Sequence, residues 1–172
     1  MTKLTAERLR ELLRYEPREG LFYWCVERRT GNGGNLVNAR AGEIAGGFMG
    51  NGYWYIGIHG RRYLASRLAW LWMTGEWPDG EIDHWDTDPT NNSWGNLREA
   101  TSTLNHANAR RRVDNTSGFK GVSFNKARSK WEAAIQVHYR KKHLGRFDDP
   151  EDAHAAYVNA AEEYFGEFSR AA

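Results

Sequence analysis

Asp83 and His84 stand side by side, followed by the Asn-rich run Thr90-Asn91-Asn92-Ser93-Trp94-Gly95-Asn96-Leu97-Arg98 and then by Asn105. No other stretch gathers a carboxylate, an imidazole and several carboxamides so closely. An Asp offers a hard oxygen ligand to a divalent cation, a His titrates near neutral pH and can take a proton from water, and an Asn supplies a further oxygen or ties down a loop. That chemistry suits phosphodiester hydrolysis. An isolated Asp-His pair is usually part of a turn, and Asn-rich runs are usually loops. The specific signal is the spacing, with Asn96 twelve residues beyond His84 and Asn105 nine beyond Asn96.

These residues need a frame. Ile82 between Glu81 and Asp83 suits a short strand, Asp86 to Asn92 a polar turn, and Asn96 to Ala100 a returning strand. Thr101-Ser102 then caps a helix carrying Leu104, Asn105 and Asn108. The expected unit is β-β-α, with Asp83 and His84 on the first strand and Asn105 on the helix. Upstream, Thr5 caps an amphipathic helix that includes Leu9, Leu12 and Leu13 and is expected to end near Pro17 and Gly20. Leu21 to Val26 reads as a buried strand, and residues 30–35 as a flexible loop. Tyr53 to Ile58 and Arg61 to Ala65, joined by His59-Gly60, read as a hairpin, and Ser66 to Met73 as an apolar helix closed by Thr74-Gly75.

The Asp-His, Asn-Leu-Arg and Asn spacing resembles the HNH endonuclease family, in the His-Asn-Asn branch found in phage and intron-borne homing endonucleases. Arg67-Leu68-Ala69-Trp70 and Gly75-Glu76-Trp77-Pro78 are similar to that family's approach to its motif. The resemblance implies a β-β-α metal (His-Me finger) module in which His84 is the general base. Asp83 and Asn105 would hold one divalent cation, Mg²⁺ or else Mn²⁺, with the adjacent His106 as the other candidate for the last ligand. Asn96 would clamp the loop between the strands as part of the catalytic set. Arg98 is open between holding a phosphate and pairing with Glu99 or Asp86.

Charge is segregated behind a net +2. Residues 1–79 carry +3, 80–108 carry −4, 109–147 carry +9 and 148–172 carry −6. A +9 block is an electrostatic footprint for a polyanion, while the −4 block repels DNA unless a cation sits in it. A single Cys25 excludes an intramolecular disulfide and a Cys-rich zinc site. No apolar run approaches the roughly 20 residues that span a bilayer, and no signal-like stretch opens the chain, so a soluble protein of a bacterial or phage-infected cytoplasm is expected.

After Asn108 the sequence turns basic and turn-rich over 109–117, dividing a 1–108 module from a 118–172 module. Three strands are expected there, around Lys120 to Phe124, Lys130 to Val137 and Lys141 to Phe147. A helix follows, with Asp149 as cap, Pro150 at its first position, an Ala-rich face and Gly166 beyond its end. Gly118-Phe119-Lys120-Gly121-Val122-Ser123, Lys130-Trp131-Glu132-Ala133, His143-Leu144-Gly145-Arg146-Phe147-Asp148, Ala153 to Tyr157 and Gly166-Glu167-Phe168-Ser169 are similar to the APETALA or ethylene-response-factor type of DNA-binding domain. That likeness implies a three-stranded antiparallel sheet packed on one helix, with Lys120, Arg128, Lys130, Trp131, Arg140, Lys142 and Arg146 as candidate DNA contacts.

The expected fold class is therefore α+β, and the expected function a metal-dependent homing-type endonuclease acting on duplex DNA. It would act as a monomer or transient dimer with no obligatory protein partner. The rival from another class is a non-catalytic DNA-binding protein, a repressor or architectural factor. A third reading, a nuclease for RNA, would show itself as preference for single-stranded RNA.

Overall fold

The computed structural model describes residues 3–30, 36–111 and 114–170. Most of the loop expected at 30–35, and part of the 109–117 linker, lie outside them. Among the described residues no helix is long and apolar enough to cross a membrane. The chain forms two compact units, Met1–Glu99 and Ala100–Ala172. The division falls ahead of the helix that carries Asn105, whereas the sequence put the boundary after it.

In the first unit Thr5 accepts a hydrogen bond from the Arg8 backbone N–H and starts α1 (Ala6–Leu12). The helix stops earlier than its apolar spacing suggests. Leu13 is already extended, at φ −134°, and begins β1 (Leu13–Glu16), which pairs antiparallel with β2 (Leu21–Trp24). Leu13 and Tyr15 are buried while Arg14 between them is exposed, the period of two of a strand, although Leu13 four beyond Leu9 and Tyr15 three beyond Leu12 also fit the helix that was expected to continue. Two short strands, β3 (Arg28–Thr30) and β4 (Leu36–Ala39), pair next.

The central sheet is β5 (Gly47–Phe48), β6 (Trp54–Ile58) and β7 (Arg61–Leu64), all antiparallel. His59 (φ 48°) and Gly60 (φ 75°) make the tight turn between β6 and β7. Helix α2 (Ala65–Thr74) follows and ends on Gly75, whose left-handed φ of 87° lets its N–H reach the Leu71 carbonyl. Leu9, Leu13, Phe22, Ile56, Leu68 and Leu71 are fully buried and form the centre of the core. Burial of such side chains contributes about 1.5–3 kcal/mol each. Onto this core the chain sets β8 (Glu81–His84), paired with β9 (Leu97–Ala100) in a two-stranded sheet.

The second unit opens with α3 (Ser102–Asn108), capped by Thr101 accepting from the Leu104 N–H. Strands β10 (Val122–Asn125), β11 (Lys130–Val137) and β12 (Arg140–Phe147) form one antiparallel sheet in that order. A bulge between Ala133 and Ala134 shifts the β11–β12 register. Helix α4 (Pro150–Phe165), with Asp149 as cap and Pro150 in its first turn, lies against the sheet. Its buried Ala153, Ala160 and Ala161 keep side chains short enough for close approach, and Tyr157 and Phe165 fill the flanks. The result is a mixed helix-and-sheet protein built from small antiparallel sheets.

Candidate active site

Strand β8 alternates, yet Asp83 and His84 are both buried, at 3% and 6% exposed. A buried carboxylate must be paired, and Arg98 on β9 meets it, Nε to Asp83 Oδ2 at 2.8 Å. Arg98 therefore pairs with Asp83 rather than with Glu99 or Asp86. Its guanidinium also lies over the Trp85 ring, 4.4 Å from the centroid.

His84 Nε2 is 3.2 Å from Asn92 Oδ1. The Asn92 amide nitrogen donates to the Thr90 carbonyl, so its oxygen is the end turned to the imidazole and Nε2 is the protonated nitrogen. The tautomer then leaves the basic lone pair on Nδ1. Asn92 is itself 3% exposed and is fixed from the N-terminal hairpin, where the Tyr15 hydroxyl donates to its carbonyl at 2.6 Å. Burial pushes the Tyr15 phenol well above its ordinary value, so it stays a donor. Gly20, at the turn of that hairpin (φ +74°), approaches so closely that a Cβ there would lie 2.4 Å from Asn92 C and Ser93 N.

The loop between β8 and β9 is tied by Asn96, whose Oδ1 accepts from the Asp86 N–H at 3.0 Å. The Asn96 Nδ2 donates to Asp86 Oδ1 and to the Asn91 carbonyl. Asp86 also accepts from the Asp88 N–H and from Asn91 Nδ2. Burial acts to raise the Asp86 carboxyl, but these hydrogen bonds and the nearby His84 outweigh it and hold Asp86 below the usual carboxylate range. The loop is thus a closed set of donors and acceptors.

Asn105 lies half-buried on α3 in the second unit, and His106 is exposed there with Nδ1 2.8 Å from the Ser102 carbonyl oxygen. Among the described residues no group of three or more His, Cys, Asp or Glu is arranged to hold a metal. The donors available are a carboxylate and carboxamides, hard oxygens that fit Mg²⁺ or Mn²⁺ and do not fit a thiolate-bound zinc.

The candidate DNA contacts of the second unit divide by face. Val122, Ala133, Ile135 and Val137 are buried under α4. Trp131 belongs on this covered side, packed against Phe124 at 4.9 Å between ring centroids. Lys142, paired with Ile135 in the ladder, shares that side and its amine reaches the Tyr164 hydroxyl of α4. Arg140, opposite Val137, has the same parity and is exposed at the hairpin end. Lys130 and Arg146 are on the open side, ion-paired with Asp148 and Glu132, and Arg128 is exposed in the β10–β11 turn. Lys120 is on neither face. Its amine donates to the carbonyls of Ala107 and Ala109 at 2.6 and 2.7 Å, closing the end of α3, and lines a cavity of about 570 Å³ with Tyr157 and Phe165. Burial, with a smaller push from Arg170, lowers it to about 8.

Sequence reasoning did not single out Asn92, Tyr15 and Gly20 as supports of His84, nor Lys141 and His143 as open-face residues. Alternation on β12 could have found the last two.

Residues 63–107, from β7 through α3, match the HNH endonuclease family. The chain is also 34% identical over 103 residues to Protein 3.8 of Escherichia phage T7, an alignment covering 59% of this chain and 84% of that protein. The chain belongs to the Protein 3.8 family. No solved structure matches it. The HNH match contains Asp83, His84, Asn96 and Asn105, and it implies a nucleic acid substrate.

Proposed function

We propose that this member of the Protein 3.8 family is a metal-dependent endonuclease of homing type that hydrolyses phosphodiester bonds in duplex DNA. The observation that carries the reading is the buried Asp83–His84 pair, within the HNH match, on a strand whose following loop is closed by Asn96. His84, held through Nε2 by Asn92, takes the proton from a water at Nδ1. The water oxygen bonds to phosphorus, the P–O3′ bond breaks and the 3′ oxygen leaves with the electron pair. Asp83 and Asn105 are the residues to hold one divalent cation, Mg²⁺ or Mn²⁺. That ion would supply charge stabilisation to the phosphorane and the departing oxygen. Asp83 is suited to it because a buried carboxylate needs a positive partner, a role that Arg98 fills here.

The second unit is proposed to hold the substrate as an APETALA-type domain. Its open sheet face carries Lys130, Lys141, His143 and Arg146, which favours a polyanion.

Plasmid cleavage with Mg²⁺ by the wild type and by His84→Ala tests the proposal. The wild type should nick or cut, and His84→Ala should lose about 10²–10⁴ in rate, the span of general-base catalysis. If both bind DNA equally and neither cuts, the nuclease reading is lost and a purely DNA-binding role stands. Faster cleavage of single-stranded RNA than of duplex DNA would move the substrate to RNA.

A further inference from the structure

Two exposed aromatic residues neighbour His84, Trp85 in sequence and Tyr53 in space. Trp85, the next residue, is 54% exposed. One of its faces is covered by the Arg98 guanidinium at 4.4 Å, so the exposure comes from the opposite face and the edge. Arg98 is itself fixed by Asp83, with only 15% of its side chain exposed, which holds the indole in place before any ligand arrives. Tyr53, 39% exposed, sits with its ring centroid 6.4 Å from that of His84. Tyr53 follows the turn of the β5–β6 hairpin, which also presents Phe48 at 58% and Met49 at 40% exposed. Arg62 lies beside them, its Nη1 3.5 Å from the Met49 sulfur.

Large apolar surface facing water beside a buried, charged site marks a binding surface. The chemistry of the rings says what kind. In an intact duplex each base has both faces stacked on its neighbours and offers only its edges, so an aromatic face has nothing to stack on. A base that has left the stack offers its π-face, and an aromatic ring backed by an arginine receives it without regard to sequence. Resting on the nuclease reading above for the identity of the neighbouring site, we propose that Trp85, backed by Arg98, is a stacking platform for an unpaired nucleotide beside the scissile phosphate. The favoured substrate is then DNA with a locally opened strand, such as a mismatch bubble or a fork.

The test is equilibrium binding by fluorescence anisotropy of the full chain in chelator, where nothing is cut. The probes are a labelled matched duplex and the same duplex with a central mismatch bubble. The wild type should bind the bubble more tightly, by roughly five- to hundredfold if one base stacks. Trp85→Leu, which keeps apolar bulk without a π-face, should lose most of that preference, and Trp85→Phe should keep part of it. Equal affinity of the wild type for both probes overturns the inference, as does a Trp85→Leu variant with undiminished preference. Because the readout needs no cleavage, a preference for the bubble in a protein that cuts nothing would sink the nuclease reading and leave the platform standing.

Discussion

Asn92 receives the Tyr15 hydroxyl on its backbone and presents its side-chain oxygen to His84. A base whose ring is free to turn spends little time aimed at the water, and a small misplacement of a catalytic group costs up to about 10²-fold. Asn92→Ala should therefore lower kcat by about 10- to 100-fold while KM moves little, as single-turnover cleavage would show. Asn92→Asp, which keeps the acceptor, should recover part of the loss. Arg98 and Asp83 make the second residue-level case. Arg98→Gln leaves a carboxylate buried without its cation, a change that typically costs about 3–5 kcal/mol. Thermal unfolding in chelator should show that loss. Added Mg²⁺ should stabilise the variant more than the wild type, because the ion then answers an unmet charge.

Elements explain why some of this was readable and some was not. Caps are local, so Thr5, Thr101 and Asp149 announced their helices. The Asp83, His84 and Asn96 spacing was equally legible, since it lies within one hairpin. The end of α1 was not, because Leu13 and Tyr15 satisfy both periods and only their pairing with Trp24 and Phe22 decides for a strand. Strand β5, with only Gly47 and Phe48, is defined by its partner rather than by its own pattern. In β12 the bulge reverses parity at Leu144, putting Arg146 on the open face while Arg140 and Lys142 share the covered one. No alternation count shows that.

Lys120 carries an element-level prediction as well. Its amine is held at about 8 in the fold against an ordinary 10.5. Between those values the unfolded chain binds the extra proton, so stability rises as pH climbs from about 8 towards 10.5 and is flat below 8 as far as this group is concerned. Urea midpoints should rise for the wild type from about pH 8 to about 9.5, below the ordinary tyrosine value at which the raised Tyr15 and Tyr157 begin to act the other way. Lys120→Met should lose this rise and also leave the Ala107 and Ala109 carbonyls without their donor.

At the scale of the whole molecule, charge would divide the labour on the proposed reading. The stretch holding Asp83 and His84 is acidic and repels DNA, whereas the open face of the second unit brings Lys130, Lys141, His143 and Arg146 to one surface. The Lys130–Asp148 and Arg146–Glu132 pairs are exposed, so they contribute little and are readily traded for phosphates. If six to ten phosphates are neutralised, affinity for duplex DNA should fall by about 10³–10⁵ between about 50 and 200 mM salt. Lys141→Gln and Arg146→Gln should each flatten the log–log salt slope by about one. An unchanged slope in both would remove the sheet from the interface.

The bond from Tyr15 to Asn92 spans 77 positions of sequence, and this has a meaning for the chain as it is made. Residues 13–24 emerge early and can pair at once, but the loop they hold does not exist until residue 92 has left the ribosome. Contacts so far apart are closed late in folding. A nascent chain thus carries Asp83 and His84 for a time without the support that aims the imidazole. On the proposed nuclease reading, His84 is aimed only once the chain from Tyr15 to Asn92 has been made and closed.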